Sequence, residues 1–130
     1  MTILKGSNSP KDITLLASNS AKEILVFEGF FNFLSYQTIH QKNILLPKLQ
    51  PDFLVLNSLS FFERARDIME KHSSIHLYLD RDKAGMEITQ RVLSFSEQYS
   101  DKSYQYKNHK DINEYLVKEQ SHAKTNMQDK

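Results

Sequence analysis

Two short segments of the chain place acidic side chains directly after apolar runs. The first is Ile24-Leu25-Val26-Phe27-Glu28-Gly29, and the second is Leu77-Tyr78-Leu79-Asp80-Arg81-Asp82-Lys83-Ala84-Gly85. Each apolar run is typical of a buried strand, and a pattern that begins a helix follows each of them. Because the carboxyl ends of parallel strands meet at one edge of a sheet, Glu28, Asp80 and Asp82 are expected to converge there. Carboxylates grouped in this way are the oxygen ligands that hold Mg²⁺ together with substrate phosphates.

A simpler role for these acids is also consistent with the sequence. Asp80 or Asp82 can cap the helix that follows, since aspartate is a preferred N-cap residue. Against this, three carboxylates at one edge repel one another unless a cation lies among them. Gly85 allows the start of the helix to approach closely, and the free backbone N–H groups there favour phosphate. The two segments taken together favour a metal site.

The rest of the chain predicts strands that alternate with helices. Strands are expected at 24–28, 53–56 and 75–79, with a weaker edge strand at 103–107, and a last short helix begins at the capping box of residues 111–114. This pattern predicts an α/β fold with a central parallel sheet of about four strands flanked by helices. The predicted domain organisation is a loop-rich lead-in (1–22), one folded domain (23–119) and a polar, disordered tail (120–130).

Composition excludes several classes of protein. The chain of 130 residues has 39% hydrophobic and 25% charged residues, as an ordinary globular domain does. It has no cysteine, which excludes disulfides, a thiolate nucleophile and a cysteine zinc site. No apolar stretch is long enough to span a membrane, and a cytoplasmic location is expected. The net charge of +1, from 17 basic and 16 acidic residues, does not indicate strong binding to nucleic acid by bulk charge.

The order of the motifs resembles the Toprim domain that topoisomerases and bacterial primases share. The Asp-x-Asp-x-Ala-Gly form of residues 80–85 and the later segment Lys110-Asp111-Ile112-Asn113-Glu114-Tyr115-Leu116 resemble the primase branch most, including primase-like Toprim proteins of mobile elements. The resemblance covers roughly residues 22–118. It implies a compact, Rossmann-like Toprim fold, and a Mg²⁺- or Mn²⁺-dependent domain of a DNA primase-type nucleotidyltransferase.

The resemblance also implies roles for individual residues. Glu28 would be a metal ligand or the acid/base at the reacting oxygen, and Asp80 and Asp82 would hold the divalent ions. These three are the expected catalytic and metal-binding residues. Primases usually have an aspartate where this chain has Asn32, which can still form a hydrogen bond but adds no negative charge. Weaker candidates for substrate binding are Asn32, Asn57, Lys83, Lys110 and Asp111.

Partners and alternatives follow from the same resemblance. The expected partners are a single-stranded DNA template, nucleotides, and a basic primase half or other replication proteins, supplied in cis or in trans. The expected process is DNA replication or mobile-element transfer. Two other functions stay open: a Toprim nuclease that cleaves phosphodiesters with the same acids, and a non-catalytic accessory domain that binds metal or a partner without turnover.

The phenylalanines offer a separate expectation. Their helical spacing predicts core positions rather than a surface on which bases stack, because such a surface requires exposed rings. The residues concerned are Phe27, Phe30, Phe31, Phe33, Phe61 and Phe62.

Overall fold

The computed structural model describes residues 2–5, 12–17, 21–40 and 50–128. Within these residues six strands form one sheet, in the order β1-β2-β4-β3-β5-β6. The strands β3 to β6 pair in parallel, whereas β1 and β2 are antiparallel additions beside β4. Their bounds are Thr2–Lys5 (β1), Thr14–Ala17 (β2), Glu23–Phe27 (β3), Asp52–Val55 (β4), Ser74–Tyr78 (β5) and Tyr99–Asp101 (β6).

Four α-helices accompany the sheet in the described part of the chain. The first three connect successive parallel strands, and the fourth follows β6. Their bounds are Phe30–Ile39 (α1), Phe62–Met69 (α2), Lys83–Phe95 (α3) and Ile112–Gln128 (α4). Two short 3-10 helices, Leu59–Phe61 and Ser103–Tyr106, lead into α2 and follow β6. No helix in the described residues is both long enough and apolar enough to cross a membrane.

Helices cover both faces of the sheet, which explains why the parallel strands are continuously apolar. In β3, Ile24 and Val26 pack on the side of α2 and α3, together with Phe62 and Val92. Leu25 and Phe27 point to the opposite side, because successive side chains alternate along a strand.

Aromatic rings fill the second face, beneath α1 and α4. The ring of Phe27 stacks on Tyr78 with centroids 5.0 Å apart and meets the edge of Phe33 at 5.8 Å. The buried hydroxyl of Tyr106 donates to the carbonyl oxygen of Leu79 at 2.8 Å. These contacts fix the last residues of β3 and β5 relative to each other.

The strand order creates a crevice at the carboxyl ends of β3 and β5. The chain leaves β3 through α1 to reach β4 on one side, and leaves β5 through α3 to reach β6 on the other. Because α1 and α3 lie on opposite faces of the sheet, the two connections diverge between these strands. Ligands of open α/β sheets bind at such a point.

The predicted α/β fold with four parallel strands is confirmed, and its first three strands lie within one residue of their expected positions. The weak strand predicted at 103–107 is wrong. Those residues include a 3-10 helix, and the edge strand is Tyr99–Asp101 instead. Tyr99 is buried and pairs with Ile75 of β5, so burial of one ring decided the position of this short strand.

The two ends of the chain also differ from expectation. Strands β1 and β2 lie within the predicted loop of residues 1–22, of which residues 1, 6–11 and 18–20 lie outside the described part. Helix α4 continues to Gln128, whereas a disordered tail was expected after Glu119 and residues 129–130 are not described. Alanine, lysine, glutamine and methionine in this stretch are good helix formers.

Candidate metal centre

Three carboxylates meet at the crevice between β3 and β5. Glu28 follows the last residue of β3, Asp80 follows β5 by two residues, and Asp82 immediately precedes α3. Each offers a ligand oxygen, and these three oxygens lie within 4.8 Å of one another. Glu28 and Asp80 are half-buried, and Asp82 is exposed. The convergence expected from the sequence is therefore present in the structure.

Glu28 is held by the backbone of the facing loop. The N–H of Asp80 donates to Glu28 Oε1 at 3.1 Å. Gly85 in the first turn of α3 lies against the same pair: a Cβ there would clash with the carbonyl oxygen of Asp80 and lie 3.2 Å from Glu28 Oε1. The absence of a side chain at residue 85 thus lets α3 begin against the acidic group.

Asp80 is oriented from the side of α1. Asn32, buried in the first turn of that helix, donates from Nδ2 to Asp80 Oδ1 at 3.1 Å. The amide is a neutral donor at the position where the resembling primases have an acid. It stabilises the charged form of Asp80 and adds no further repulsion.

Asp82 serves as the N-cap of α3. Its Oδ1 accepts a hydrogen bond from the N–H of Gly85 at 2.9 Å. The capping role and the membership of the acidic group are both present in one residue. A carboxylate has two oxygens and several lone pairs, so capping leaves Asp82 able to bind a cation.

The electrostatics of the group fit a divalent cation. The pKa of Glu28 is raised to about 7, chiefly by burial and also by the charges of Asp80 and Asp82, against the lowering effects of the hydrogen bond from Asp80 and the charge of Lys110. Burial also raises the pKa of Asp80 to about 6, with Asp111 and Asp82 acting in the same direction. A cation among these oxygens would remove the repulsion, so the donor set suits Mg²⁺ or Mn²⁺.

The segment before α4 completes this edge of the sheet. The carbonyl oxygen of Lys110 accepts from the N–H of Arg81 at 2.6 Å. The exposed Lys110 lowers the pKa values of Glu28 and Asp80 by its charge. Asp111 caps α4 by accepting from the N–H of Glu114 at 2.8 Å. Two of the weaker candidates, Lys110 and Asp111, are thus brought to the acidic group.

The remaining two weaker candidates, Asn57 and Lys83, are placed differently from Asn32, Lys110 and Asp111. Asn57 Nδ2 donates to the carbonyl oxygen of Asp12 at 2.5 Å and to Thr14 Oγ1 at 3.2 Å. These partners lie on the β2 side of β4, away from β3, so the structure does not bring the Asn57 amide to the acidic group. Its φ of 65° is one that asparagine tolerates. Lys83 is exposed at the first position of α3, next to Asp82.

The expected core position of all six phenylalanines is wrong for two of them. Phe27, Phe33 and Phe62 are buried and Phe61 is partly buried, but Phe30 is 48% and Phe31 is 74% exposed. Helix α1 turns Asn32 and Phe33 inward, and this rotation places the two preceding rings outside. The sequence signal for this rotation is the polar Asn32 among phenylalanines. It predicts which face of α1 points inward only when Asp80 is known to be its partner.

The raised pKa values predict a pH dependence of stability. Without metal, the folded protein retains protons on Glu28 and Asp80 that the unfolded chain has lost at the same pH. These two groups therefore stabilise the protonated fold. Their contribution to the free energy of unfolding is greatest below about pH 4 and is lost as pH rises through about 6 to 7. Denaturant unfolding of the wild type and Glu28→Gln with EDTA, between pH 5 and 8, should show a smaller decline in the variant. Identical pH profiles would contradict the pKa of Glu28.

A second prediction separates the two roles of Asp82. Asp82→Ala removes the cap of α3 and should lower the free energy of unfolding by about 1 kcal/mol in metal-free protein. Asp82→Asn keeps a capping oxygen and removes one repelling charge, so its stability should equal or exceed that of the wild type. Chemical denaturation of both variants measures this. An equal loss in Asp82→Asn would mean that the charge itself stabilises the fold.

A third prediction concerns the contact between α3 and the acidic group. Gly85→Ala should destabilise the protein by about 1–3 kcal/mol, because the new Cβ meets a backbone carbonyl that cannot move aside cheaply. Gly29→Ala is the matched control: its φ is −131° and a Cβ there would meet only Asn32 Nδ2, at 4.0 Å. Alanine lowers the entropy of the unfolded chain but is a poorer N-cap than glycine, so the control should change stability by less than about 1 kcal/mol. Equal tolerance of both variants in unfolding experiments would contradict the close approach at Gly85.

Comparisons with known proteins agree with this architecture. The model of a family described as Toprim-like matches residues 25–116. The crystal structure of the primase fragment of the bacteriophage T7 primase-helicase protein is similar, with a TM-score of 0.59 and 18% sequence identity over 87% of this chain. The match spans 46% of that primase fragment, and at this identity it shows a shared fold. Curated protein sequences give no match. The family match covers most of the chain, and the chain therefore belongs to the Toprim-like family.

Proposed function

We propose that this chain is the Mg²⁺-dependent Toprim domain of a DNA primase-like protein, which handles nucleic-acid and nucleotide phosphates in DNA replication or mobile-element transfer. The observation that carries the proposal is the meeting of Glu28, Asp80 and Asp82 oxygens within 4.8 Å at the ends of two parallel strands. The Toprim-like family match and the fold shared with a phage primase fragment support the primase-like context.

The three carboxylates would hold the ion, and its positive charge would act on the phosphate oxygens of the substrate. The chain's own contribution is rigid placement. The Asp80 N–H fixes Glu28, the Asn32 amide fixes Asp80, and the first turn of α3 fixes Asp82. Such preorganisation avoids reordering of charged groups during the reaction. The exposed Lys110 would attract a further phosphate of the substrate as a point charge.

Glu28 is the residue we assign to proton transfer. Nucleotide transfer joins a sugar hydroxyl to the α-phosphate of a nucleoside triphosphate and releases pyrophosphate, so the hydroxyl must lose its proton. A general base acts best when its pKa lies near the working pH. In the metal-free protein, burial and the neighbouring acids raise the pKa of Glu28 to about 7. A bound cation would lower it and keep Glu28 in the carboxylate form that accepts the proton.

Primer synthesis by this domain would require a basic partner or a basic primase half, supplied in cis or in trans. The chain carries a net charge of only +1. Affinity for a phosphate backbone grows with the number of lysine and arginine contacts and falls with salt. We therefore expect the 130-residue chain to bind single-stranded DNA weakly and with strong salt dependence. A cytoplasmic location remains a prediction from the sequence.

A non-catalytic accessory domain is the second candidate, and one observation favours it. The buried Asn32 amide donates to Asp80 where an acid would supply another negative charge. Many phosphoryl-transfer sites bind two metal ions. With asparagine in place of an acid, this site has one negatively charged ligand fewer for a second ion. A nuclease with the same acids is separated from the primase-like function only by experiment.

Calorimetric titration of the purified chain with MgCl₂ and MnCl₂ tests the metal site. We expect binding that strengthens as pH rises from about 6 to 8, because the protons on Glu28 and Asp80 must leave. Glu28→Gln and Asp80→Asn should weaken binding at least about tenfold. Asp67→Asn removes an exposed acid of α2 and serves as the matched control. Unchanged metal affinity in the first two variants would exclude the site.

The reaction itself is tested by parallel assays on single-stranded DNA with Mg²⁺ or Mn²⁺. Nucleotide incorporation that depends on Glu28 and requires an added basic primase subdomain would support the primase-like function. Nicking that depends on the same residues would establish the nuclease instead. Metal binding without either activity, even with the added subdomain, would establish the accessory role. Efficient template-dependent primer synthesis by the isolated chain would contradict the need for a basic partner.

A further inference from the structure

Three large apolar side chains at the start of α1 are exposed, and of these Phe30 contacts the ring of the buried Phe33. Phe31 is 74%, Phe30 48% and Leu34 42% exposed, although Asn32 and Phe33 between them are buried. Single exposed apolar residues are common, whereas adjacent ones are typical of an interaction surface. We name these three residues the α1 patch. It begins two residues after Glu28, at the edge of the sheet that carries the acidic group.

Hydrogen bonds fix the position of Phe31 relative to α4. Ser35 Oγ lies 2.9 Å from the carbonyl oxygen of Phe31 and 2.9 Å from Asn113 Oδ1. The Ser35 face of α1 therefore contacts the first turn of α4. Phe31 lies one turn before Ser35 on the same stripe of the helix. The backbone of residue 31 therefore lies near the start of α4, which directly follows the segment that contains Lys110.

The residue that follows Phe31 contacts the acidic group. Asn32, the next residue of α1, donates to Asp80 Oδ1 at 3.1 Å. Lys110 is exposed, and its charge acts on both Glu28 and Asp80. An exposed aromatic residue, an exposed lysine and the three clustered carboxylates thus lie at the same edge of the sheet. Aromatic rings interleaved with positive charge match the alternation of bases and phosphates in a nucleic-acid strand.

We propose that Phe31 is a stacking platform for an unpaired base of a single-stranded nucleic acid that passes the acidic group, with Lys110 beside a neighbouring phosphate. The inference rests on the proposed function and adds a binding residue to it. A strand suits the site better than a free nucleotide does. Small ligands are held in pockets that bury most of their surface, whereas Phe31 is exposed on an open helix face and can stack a base of a polymer held at several points.

The absence of tryptophan from the sequence allows a direct optical test. Phe31→Trp introduces a single tryptophan at the proposed platform, and selective excitation separates its emission from that of the six tyrosines. Phe95→Trp is the matched control, because Phe95 is 51% exposed but lies at the last residue of α3, at the far end of that helix from Asp82. Each variant is titrated with oligo(dT) and with an abasic oligonucleotide of equal length, at low salt with Mg²⁺.

Stacking predicts saturable quenching of Phe31→Trp by oligo(dT), much weaker quenching by the abasic strand, and no change in Phe95→Trp. In separate anisotropy titrations with labelled oligo(dT), Phe31→Ala should weaken affinity about tenfold relative to the wild type. Phe31→Tyr should restore the affinity and Phe31→Leu should not, because only tyrosine replaces the ring. Circular dichroism and unfolding curves of the variants verify that each is folded.

Several results would overturn the inference. Equal quenching by the abasic strand would show that Phe31 senses only the backbone, and equal quenching of both tryptophan variants would show that binding is unspecific. Saturable quenching by free thymidine triphosphate but not by oligo(dT) would assign the ring to a nucleotide. A dimer in sedimentation experiments that Phe31→Ala dissociates would assign the α1 patch to a second copy of the chain. Unchanged oligo(dT) affinity in Phe31→Ala would also overturn the inference.

Failure of the inference and failure of the proposed function are distinguishable. Calorimetric metal binding by wild-type protein with no stacking at Phe31 overturns the inference alone. Base-dependent quenching of Phe31→Trp that persists in EDTA, in a protein that binds no metal, overturns the metal-dependent function and leaves the stacking residue in place.

Discussion

Glu28 and Asp80 are carboxylates that the fold holds close together in a half-buried crevice, and much of the surrounding structure can be understood from this constraint. Burial raises both pKa values above those of ordinary carboxyl groups, and neighbouring charges add to it: Asp80 and Asp82 act on Glu28, and Asp111 and Asp82 act on Asp80. Like charges at such distances persist only where the rest of the fold enforces them. The enforcement comes from the parallel pairing of β3 with β5 and from the aromatic packing of Phe27 on Tyr78 just behind the site.

The neighbours of the two acids each limit that repulsion in a different way. Asn32 contributes a donor without charge, Lys110 contributes a positive charge, and the Asp80 N–H contributes a fixed dipole. Gly85 contributes space, since any side chain there would displace the start of α3, and its N–H donates to Asp82. Asn32, Lys110 and Gly85 would affect a metal site here without binding the ion themselves. They set the distances among the oxygens, and a cation selects its site by those distances and by ligand type.

The same residues link stability to the function proposed here. Asp82 and Asp111 cap α3 and α4, so the acidic edge is also the place where two helices begin. The hydrogen bond that a capping carboxylate accepts fixes its orientation. Such a carboxylate loses less conformational entropy when it binds a cation. The exposed α1 patch includes the residue just before Asn32, which contacts Asp80. On the proposal made above, the acids, Lys110 and Phe31 together would bind a phosphate backbone and one of its bases.

The sequence by itself determined three of the four parallel strands, the helices between them and the identity of the three acids, because these depend on local apolar runs and on where each run ends. The short, polar edge strand Tyr99–Asp101 has no such run, and its position was not predicted. It also indicated the cap at Asp111 and the close approach at Gly85. Tertiary structure alone decided which residue of α1 faces Asp80, and with it the exposure of Phe31. It also decided that Asn57 faces Asp12 rather than the acids. These outcomes depend on contacts between residues distant in the chain, such as Asn32 with Asp80. Helical periodicity specifies which residues share one face of a helix, but not which partner that face contacts.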